Sequence, residues 1–578
     1  MLEGYPTLKS ITALLDDYLK SRHNLFFGNN PEHPFLDLKP YKDIHDPIWG
    51  TNSFSWRELA ILDTPIMQRL RRIHQTGLAY HVYPSSRHSR FEHSLGVTIV
   101  ATKVFDAVAR RHAGRLRQVV DTIEPDANFE EALFRLRQEL RLAALLHDTG
   151  HSILSHTSER VYGKVPLLQR AADELSDFVG LEKKAGEVIS FCLSQTDSLN
   201  SFLQRAKSKV LQEAEIPDEF GGDLDMTNVS LLIVGRSRHP LLQFLGDIIS
   251  SGFDADKLDY LLRDAVAAGL PLRYDLERYL ATVHLPESKL NDGQGKLDKL
   301  YKQCGTADPK RQDPGENERF PYFKCLRLKL PKKSMNTIEQ VTICKLMLFS
   351  YIYHHPKVRA AEGLFERLLR RVTENWHNVG KSDEEIVRIF IDLDDSGMHG
   401  TEFLQSSDPD IKALSYRLLC RLIPRVVYEF VSSPSGLEAR QLSDFFSRLG
   451  DPGTKKTVMD SVEQEMGREL VIRKPALGTD PALACLRAGA WLDVPSLPTF
   501  EGMDELIGES RGQESVRIGD VFPINKWTEA YHAHRYAIRV YAFSEYCSDV
   551  AVAARKALEQ VTKITDPEFY KRCRRNRA

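Results

Sequence analysis

The sequence predicts a mainly α-helical protein, a helical core with a smaller mixed α/β C-terminal region. Three observations lead there. Helical periodicity dominates, with apolar residues at three- and four-residue spacing, the period of a helix that buries one face. Strand-like alternation is confined to short runs near the C-terminal end, of which 535–543 (RYAIRVYAF) is the clearest. The chain has 578 residues, too many for one compact core, so about three to four domain-sized units are expected.

Taken in order, residues 1–35 form an N-terminal segment. Its first 18 residues carry acids and no uninterrupted apolar run, so no signal peptide is expected. Over 91–111, Leu95, Ile99, Val100, Val104 and Val108 make a buried stripe, which predicts a helix with His93 in its opening turn. The same spacing predicts helices over 139–147 (ELRLAALLH) and 257–268 (KLDYLLRDAVAA). It also runs through 344–353 and past Pro356 into 358–372. Residues 291–321, rich in Gly, Pro, Lys and Asp, read as a mobile insertion. The loops 432–436 and 450–456 flank a short helix joining the core to the C-terminal region. The catalytic domain is therefore expected over 36–380, with 381–578 a helical, then α/β, region for assembly or regulation.

Composition excludes several classes. With 42% hydrophobic and 27% charged residues and a net charge of −2, the chain is neither a nucleic-acid coat nor a membrane-surface protein. No run approaches the roughly 18 apolar residues of a spanning helix. Eight cysteines without a CxxC pair are expected to be reduced thiols in a cytoplasmic protein. The basic run 571–577 reads as a solvated tail.

The chemistry concentrates in three places. His147 and Asp148 are adjacent, and at a helix end both can turn towards one ion. His93 upstream and Asp256 downstream complete two imidazoles and two carboxylates, a ligand set for a divalent metal that activates water. A lone His93 would more often be a hydrogen-bonded core residue, and a lone Asp256 a helix N-terminal carboxylate. Their joint occurrence favours ligation. His151 and His156 are then free for substrate work, and Glu159, three residues beyond His156, can hold its tautomer to make a general acid/base pair. Arg90 and Lys257 supply positive charge for phosphate. Asp256, Tyr260 and Asp264 follow at four-residue intervals and share one helix face.

These residues, with Asp63-Thr64-Pro65-Ile66-Met67-Gln68-Arg69-Leu70-Arg71-Arg72-Ile73-His74-Gln75, Tyr83-Pro84 and Arg90-Phe91-Glu92-His93-Ser94-Leu95-Gly96, resemble the HD-domain deoxynucleoside triphosphate (dNTP) triphosphohydrolases. Within that family the resemblance is to the nucleotide-activated, oligomeric branch that includes the vertebrate SAM-and-HD-domain enzyme and bacterial dGTPases. No SAM domain is evident. The match is strong over about 40–280, moderate over 340–430, where Leu393-Asp394-Asp395 and Ser407-Asp408-Pro409 fit, and faint beyond.

The resemblance implies hydrolysis of a dNTP to deoxynucleoside and tripolyphosphate. His93, His147, Asp148 and Asp256 would hold a divalent metal (Mn, Mg, Fe, Zn or Ni). Arg90 and Lys257 would hold phosphates, His156 and Glu159 would form the catalytic pair, and His151 would contact phosphate or the leaving oxygen. It also implies that Gln75 and Tyr260 address the deoxyribose, with Asp264 beside them, and that Tyr353 with His355 meets the base. Lys42, Asp63, Gln68 and Arg71 match positions where the activated branch binds a nucleotide between subunits, a GTP or dNTP effector, although Asp63 before Thr-Pro equally suits a helix cap. A homo-oligomer between dimer and hexamer, a tetramer favoured, is implied.

The sequence departs from the family in two places. Lys183 and Lys184 stand on the helix where several relatives carry a further histidine, and Lys345 and Phe349 stand where relatives often have arginine or histidine. Two other readings compete: an HD-type phosphodiesterase, nuclease or single-stranded nucleic-acid binder, and a nucleotide-sensing pseudoenzyme. The first needs a basic, aromatic groove that the sequence does not announce. The complete ligand set and the His156/Glu159 pair oppose the second.

Overall fold

Three helices carry the candidate site, and each begins where a side chain holds the first free backbone donors. For the Arg90–Arg111 helix, the Glu92 carboxylate accepts from the Ser89 N–H at 2.6 Å. Asn128 Oδ1 accepts from the Glu130 N–H at 2.9 Å to start Phe129–Leu146. Asp254 Oδ1 accepts from the Lys257 N–H at 2.7 Å to start Ala255–Ala267. Arg90–Arg111 is buried along most of its length and packs against both partners.

The computed structural model describes residues 1–28, 39–213, 222–306, 311–313, 320–431, 451–496, 507–508, 523–524, 526–527, 537–563 and 570. It is mainly α, with small sheets. Tyr41–Asp46 and Gly50–Ser55 form an antiparallel hairpin in which Lys42 pairs with Phe54. Glu287–Asn291, Tyr322–Leu326 and Arg311–Gln312 form a second sheet, with Tyr322–Leu326 central. In the C-terminal region Ala537–Ala542 lies between Arg425–Val431 and Trp491–Asp493, antiparallel to both. That sheet and the helices Pro452–Arg473 and Cys547–Thr562 enclose a second core around Phe430, Val462, Met466, Val540 and Leu558. The main core runs from Leu2 to Ile423 and takes in Trp491 and Phe543, so it joins the two regions. Among the described residues no helix is long and apolar enough to cross a membrane.

The structure adjusts several element bounds. The 139–147 periodicity is the second half of Phe129–Leu146, with His147 just beyond its last turn. The expected continuous helix through 344–372 is broken. Met335–Leu348 ends in a π-helical turn, Phe349–Tyr353, where the His354 N–H reaches the Phe349 carbonyl at 2.8 Å. A new helix starts at Pro356, which lacks an amide donor and keeps His355 out of helical geometry. Residues 291–321 include the helix Lys296–Gln303, with Leu300 and Tyr301 buried. The strand expected over 535–543 is Ala537–Ala542. The 432–436 loop and the 571–577 tail lie outside the described residues.

One buried acid ties the site helices to the rest of the core. Glu139 accepts from the Asp225 N–H at 2.9 Å and from Asn228 Nδ2 at 2.7 Å. Burial raises its pKa to about 7, outweighing those donors. A carboxyl raised in the folded state favours folding while protonated, so this contribution is complete below the unfolded value near 4.5 and lost as pH rises through about 7. Wild-type stability is expected to fall over that window by up to about 3 kcal/mol, and Glu139→Gln to flatten the decline. Chemical denaturation at a series of pH values measures it; equal slopes for both proteins would contradict the assignment.

Candidate metal centre

The ends of the three helices bring four donor groups together. His93 Nε2 lies 2.9 Å from Asp256 Oδ1 and 3.7 Å from Asp148 Oδ2. His147 Nε2 lies 3.4 Å from Asp148 Oδ1 and 3.9 Å from Asp256 Oδ1. Donors about 2 Å from one divalent ion stand about 3–3.5 Å apart, so this set needs only small adjustment around a cation. His147 Nδ1 donates to the Ala144 carbonyl at 2.7 Å, which leaves Nε2 unprotonated, and that buried nitrogen has no hydrogen-bond partner. The residues present fit a divalent ion. All four sequence-predicted ligands are brought together.

The electrostatics agree. Burial works against a charge on His93, but hydrogen bonds to Asp256 and Asp259 outweigh it and lift its pKa to about 10. The imidazole thus carries a proton when no other cation balances the carboxylates. Burial raises Asp148, and Arg90 with His147 and His151 more than reverses this, holding the carboxyl well below its usual range. Asp256 is lowered likewise, by His93 against burial.

Sequence reading missed the support beneath His93. Its Nδ1 faces Asp259 Oδ2 at 2.8 Å. Asp259 in turn accepts from Arg263 Nε at 2.8 Å and from the Trp49 indole N–H, and Arg263 reaches Asp46 at 2.8 Å. This carboxylate–imidazole pairing fixes the ring so that Nε2 points at the ion. The signal was present: Asp259 lies three residues after Asp256 and four before Arg263 on one helix. Gly96 belongs to this arrangement, since a Cβ there would lie 1.9 Å from Asp259 Oδ1. An Asp259→Asn variant is expected to weaken metal affinity about 10- to 100-fold. Competition with a metal-sensitive dye reads this, and unaltered affinity would remove Asp259 from the site.

Beyond His147 the chain turns sharply. Leu154 and Ser155 take φ of 53° and 55°, unusual for residues with a Cβ. Asp395 holds the turn, accepting from the Leu154 N–H at 2.7 Å and the His74 N–H at 2.9 Å. Arg90 Nε donates to Ser155 Oγ at 2.9 Å, and its NH1 pairs with Asp148. The turn sets His156 at the start of the His156–Tyr162 helix, with Nδ1 3.4 Å from Glu159 Oε2 and Nε2 3.4 Å from Arg90. His156 is open to solvent, whereas Glu159 is largely buried and accepts from the Gly186 N–H at 3.0 Å. Burial raises the Glu159 carboxyl, but His156, His151 and that amide hold it well below its ordinary value. His151 lies edge-on to His156, ring centres 4.9 Å apart, and burial with Arg90 lowers its pKa to about 4.

These groups line a pocket of about 880 Å³. Gln75, Arg90, Lys257, Tyr260, Asp264 and Tyr353 all face it. Lys257 Nζ is held by Asp254 at 2.6 Å and by the Ser251 carbonyl at 2.8 Å. Tyr353 donates to Asp264, which also meets His88 at 2.8 Å. His355 is not among the lining residues: its Nδ1 caps the Pro356–Asn378 helix, accepting from the Lys357 N–H at 3.1 Å, while the neighbouring His354 does face the pocket. Phe349 lines the pocket and Lys345 does not. Lys183 is buried against Glu187 at 2.8 Å, and Lys184 faces the pocket.

Lys42, Asp63, Gln68 and Arg71 lie outside this pocket. Asp63 is exposed, and the cap of Pro65–Leu70 comes from Thr64 instead. Arg71 donates to Gln68 Oε1 at 2.9 Å and lies 3.5 Å over the Phe91 ring.

No protein-family model matches the chain. Among curated proteins, the deoxynucleoside triphosphate triphosphohydrolase SAMHD1 of Xenopus laevis is 25% identical over 403 residues, 68% of this chain and 55% of that protein. The Bos taurus protein of the same name is 30% identical over 257 residues, 41% of this chain and 38% of that protein. The chain is a distant relative of the HD-domain dNTP triphosphohydrolases. An uncharacterised protein of Methanocaldococcus jannaschii is 26% identical over 333 residues, 56% of this chain and 49% of that one. The chain thus spans about half the length of these first curated relatives. A solved structure, a hypothetical protein from Aquifex aeolicus, shares the fold with a TM-score of 0.51 at 18% identity, covering 89% of this chain and 99% of that one.

Proposed function

We propose that this protein is a metal-dependent hydrolase that converts dNTPs to deoxynucleoside and inorganic tripolyphosphate. The observation that carries the reading is the pairing of two sites in one pocket. Four ligands converge with the His147 Nε2 lone pair unpaired, and a His156/Glu159 pair stands beside them. The distant relationship to dNTP triphosphohydrolases supports the substrate class.

His93, His147, Asp148 and Asp256 would hold the divalent ion, which supplies Lewis-acid polarisation of the α-phosphate and acidifies water. Hydrolysis joins the water oxygen to the α-phosphorus and breaks its bond to O5′. Arg90 and Lys257 face the negative charge of the phosphates. Glu159 orients His156 by accepting from Nδ1–H, and the doubly protonated ring, which that carboxylate stabilises, gives its Nε2 proton to O5′. His151, neutral at physiological pH, offers a hydrogen bond to a phosphate oxygen. Gln75, whose buried Oε1 has no partner, and Tyr260 would meet the deoxyribose, and Tyr353 the base side.

The reading extends to assembly. Exposed Asp63 and Arg71, with Gln68 and Lys42, would take an activating GTP or dNTP between subunits of a cytoplasmic homo-oligomer, a tetramer favoured. A carboxylate at Asp63 suits the guanine N1–H and exocyclic amine. The test is product analysis with Mn²⁺ or Mg²⁺ and each dNTP, singly and in mixtures. Deoxynucleoside with intact tripolyphosphate is expected, and turnover restricted to mixtures would support the effector site. A dNMP with pyrophosphate, or no product from any combination, would overturn the reading.

A further inference from the structure

The pocket has a second wall, built by the C-terminal region rather than by the three site helices. Lys455 and Lys456, in the first turn of Pro452–Arg473, face it together with Lys164, Lys184 and Trp491. The arginines on this side are already committed. Arg160 pairs with Glu362 and Glu366 at 3.5 and 3.6 Å, Arg359 with Asp493 at 2.5 Å, Arg367 with Glu463 at 2.5 Å, and Arg370 with Glu366. The lysines are not. Among the described residues no carboxylate lies within ion-pair distance of Lys164, Lys184, Lys455 or Lys456, although Asp460 stands one turn beyond Lys456. Lys183 occupies Glu187, the acid three residues beyond Lys184. Lys455 has only the Pro495 carbonyl, at 3.4 Å.

A second, independent feature points to a ligand. Trp491 is 1% exposed and its indole N–H has no hydrogen-bond partner, a cost that an acceptor in the pocket would relieve. Gly363 makes room for that ring, since a Cβ there would lie 2.8 Å from Trp491 Nε1. Burial and the neighbouring Arg370 and Lys456 lower the Lys164 pKa and outweigh Glu366 and Asp460, which act the other way. A concave wall with several unpaired ammonium groups concentrates a multivalent anion.

We propose that Lys164, Lys184, Lys455 and Lys456 form an inorganic polyphosphate subsite that receives tripolyphosphate on its way out of the active-site pocket. The inference rests on the reaction proposed above, because that reaction leaves tripolyphosphate as its highly charged product. It gives the C-terminal region a direct role in product handling.

The test is calorimetric titration of the full-length, magnesium-saturated protein with tripolyphosphate. Wild type is compared with Lys455→Gln/Lys456→Gln, Lys164→Gln and the surface control Lys302→Gln, with thermal unfolding of each as the folding check. The expected result is at least about tenfold weaker binding in the double variant, a smaller loss in Lys164→Gln, a shallower salt dependence in both, and none of these in the control. Equal binding by wild type and a folded double variant overturns the proposal. So does a single-stranded oligonucleotide that binds through the same lysines and is not displaced by tripolyphosphate, which would make the wall a nucleic-acid surface. Lysine-dependent binding without dNTP turnover keeps the subsite and removes the proposed reaction; turnover with lysine-independent binding does the reverse.

Discussion

An Asp256→Ala variant is expected to lose turnover and divalent-metal retention together while keeping its fold. The carboxylate lies in the first turn of its helix with about a third of its side chain exposed (34%), so alanine there opens no core cavity. The helix start is unaffected, because its cap is Asp254. What is lost is the oxygen that faces both His93 Nε2 and His147 Nε2, and no neighbouring group can replace it: Asp254 is tied to Lys257, and Asp259 is tied to Arg263 and Trp49 on the far side of His93. A rate loss of at least about 10³-fold, near 4 kcal/mol of barrier, is expected. Elemental analysis of dialysed protein, thermal unfolding and dNTP hydrolysis read the three consequences separately. A metal-free Asp256→Ala preparation that still hydrolyses dNTPs would overturn the site assignment. His147→Ala is expected to behave the same way, since Nε2 is the donor left unpaired by the rest of the protein.

How much of this was legible in the sequence follows the range of the interactions. Helix periodicity found Arg90–Arg111 and Ala255–Ala267 within two residues, because each buries one stripe along a single element. The four ligands were legible because adjacent His147 and Asp148 must share a helix end, leaving few partners of the right chemistry. The break at 349–355 was less so, because the apolar spacing continues across it while a π-type turn and Pro356 change the backbone beneath. Asp259 was passed over for a different reason: its partner Trp49, and Asp46 on the far side of Arg263, lie more than 200 residues away in sequence, and only folding joins them. The same applies to Asp395, whose grip on the Leu154 turn spans 241 residues. The C-terminal wall of the pocket was the least legible. Lys455 and Lys456 fall in the 450–456 stretch that reads as a loop, whereas the structure starts the Pro452–Arg473 helix there, and Trp491 and Gly363 bring that region against the main core.

The His156→Ala variant is expected to lose catalysis while the metal stays bound, separating it from the ligand variants. His156 Nδ1 faces Glu159 and its Nε2 faces Arg90, and its open side chain leaves the ring free to meet a substrate oxygen. Removing a positioned proton donor costs about 10²- to 10⁴-fold. The turn that places it is held by Asp395 and Arg90 through Leu154 and Ser155, not by the imidazole, so the truncation should leave the backbone intact. Glu159→Gln, which keeps the shape but removes the charge that orients Nδ1, is expected to show a smaller loss and an altered pH profile. The competing possibility is concrete, because donor atoms of His151, His156 and Glu159 all lie within 4.8 Å of one another and such a set can also hold a cation. Metal content decides between them. If His156→Ala lowers the bound metal as well as the rate, the residue is a ligand and its acid/base role is wrong. If metal content is unchanged and only the rate falls, the proton belongs to His156 and the ion to His93, His147, Asp148 and Asp256.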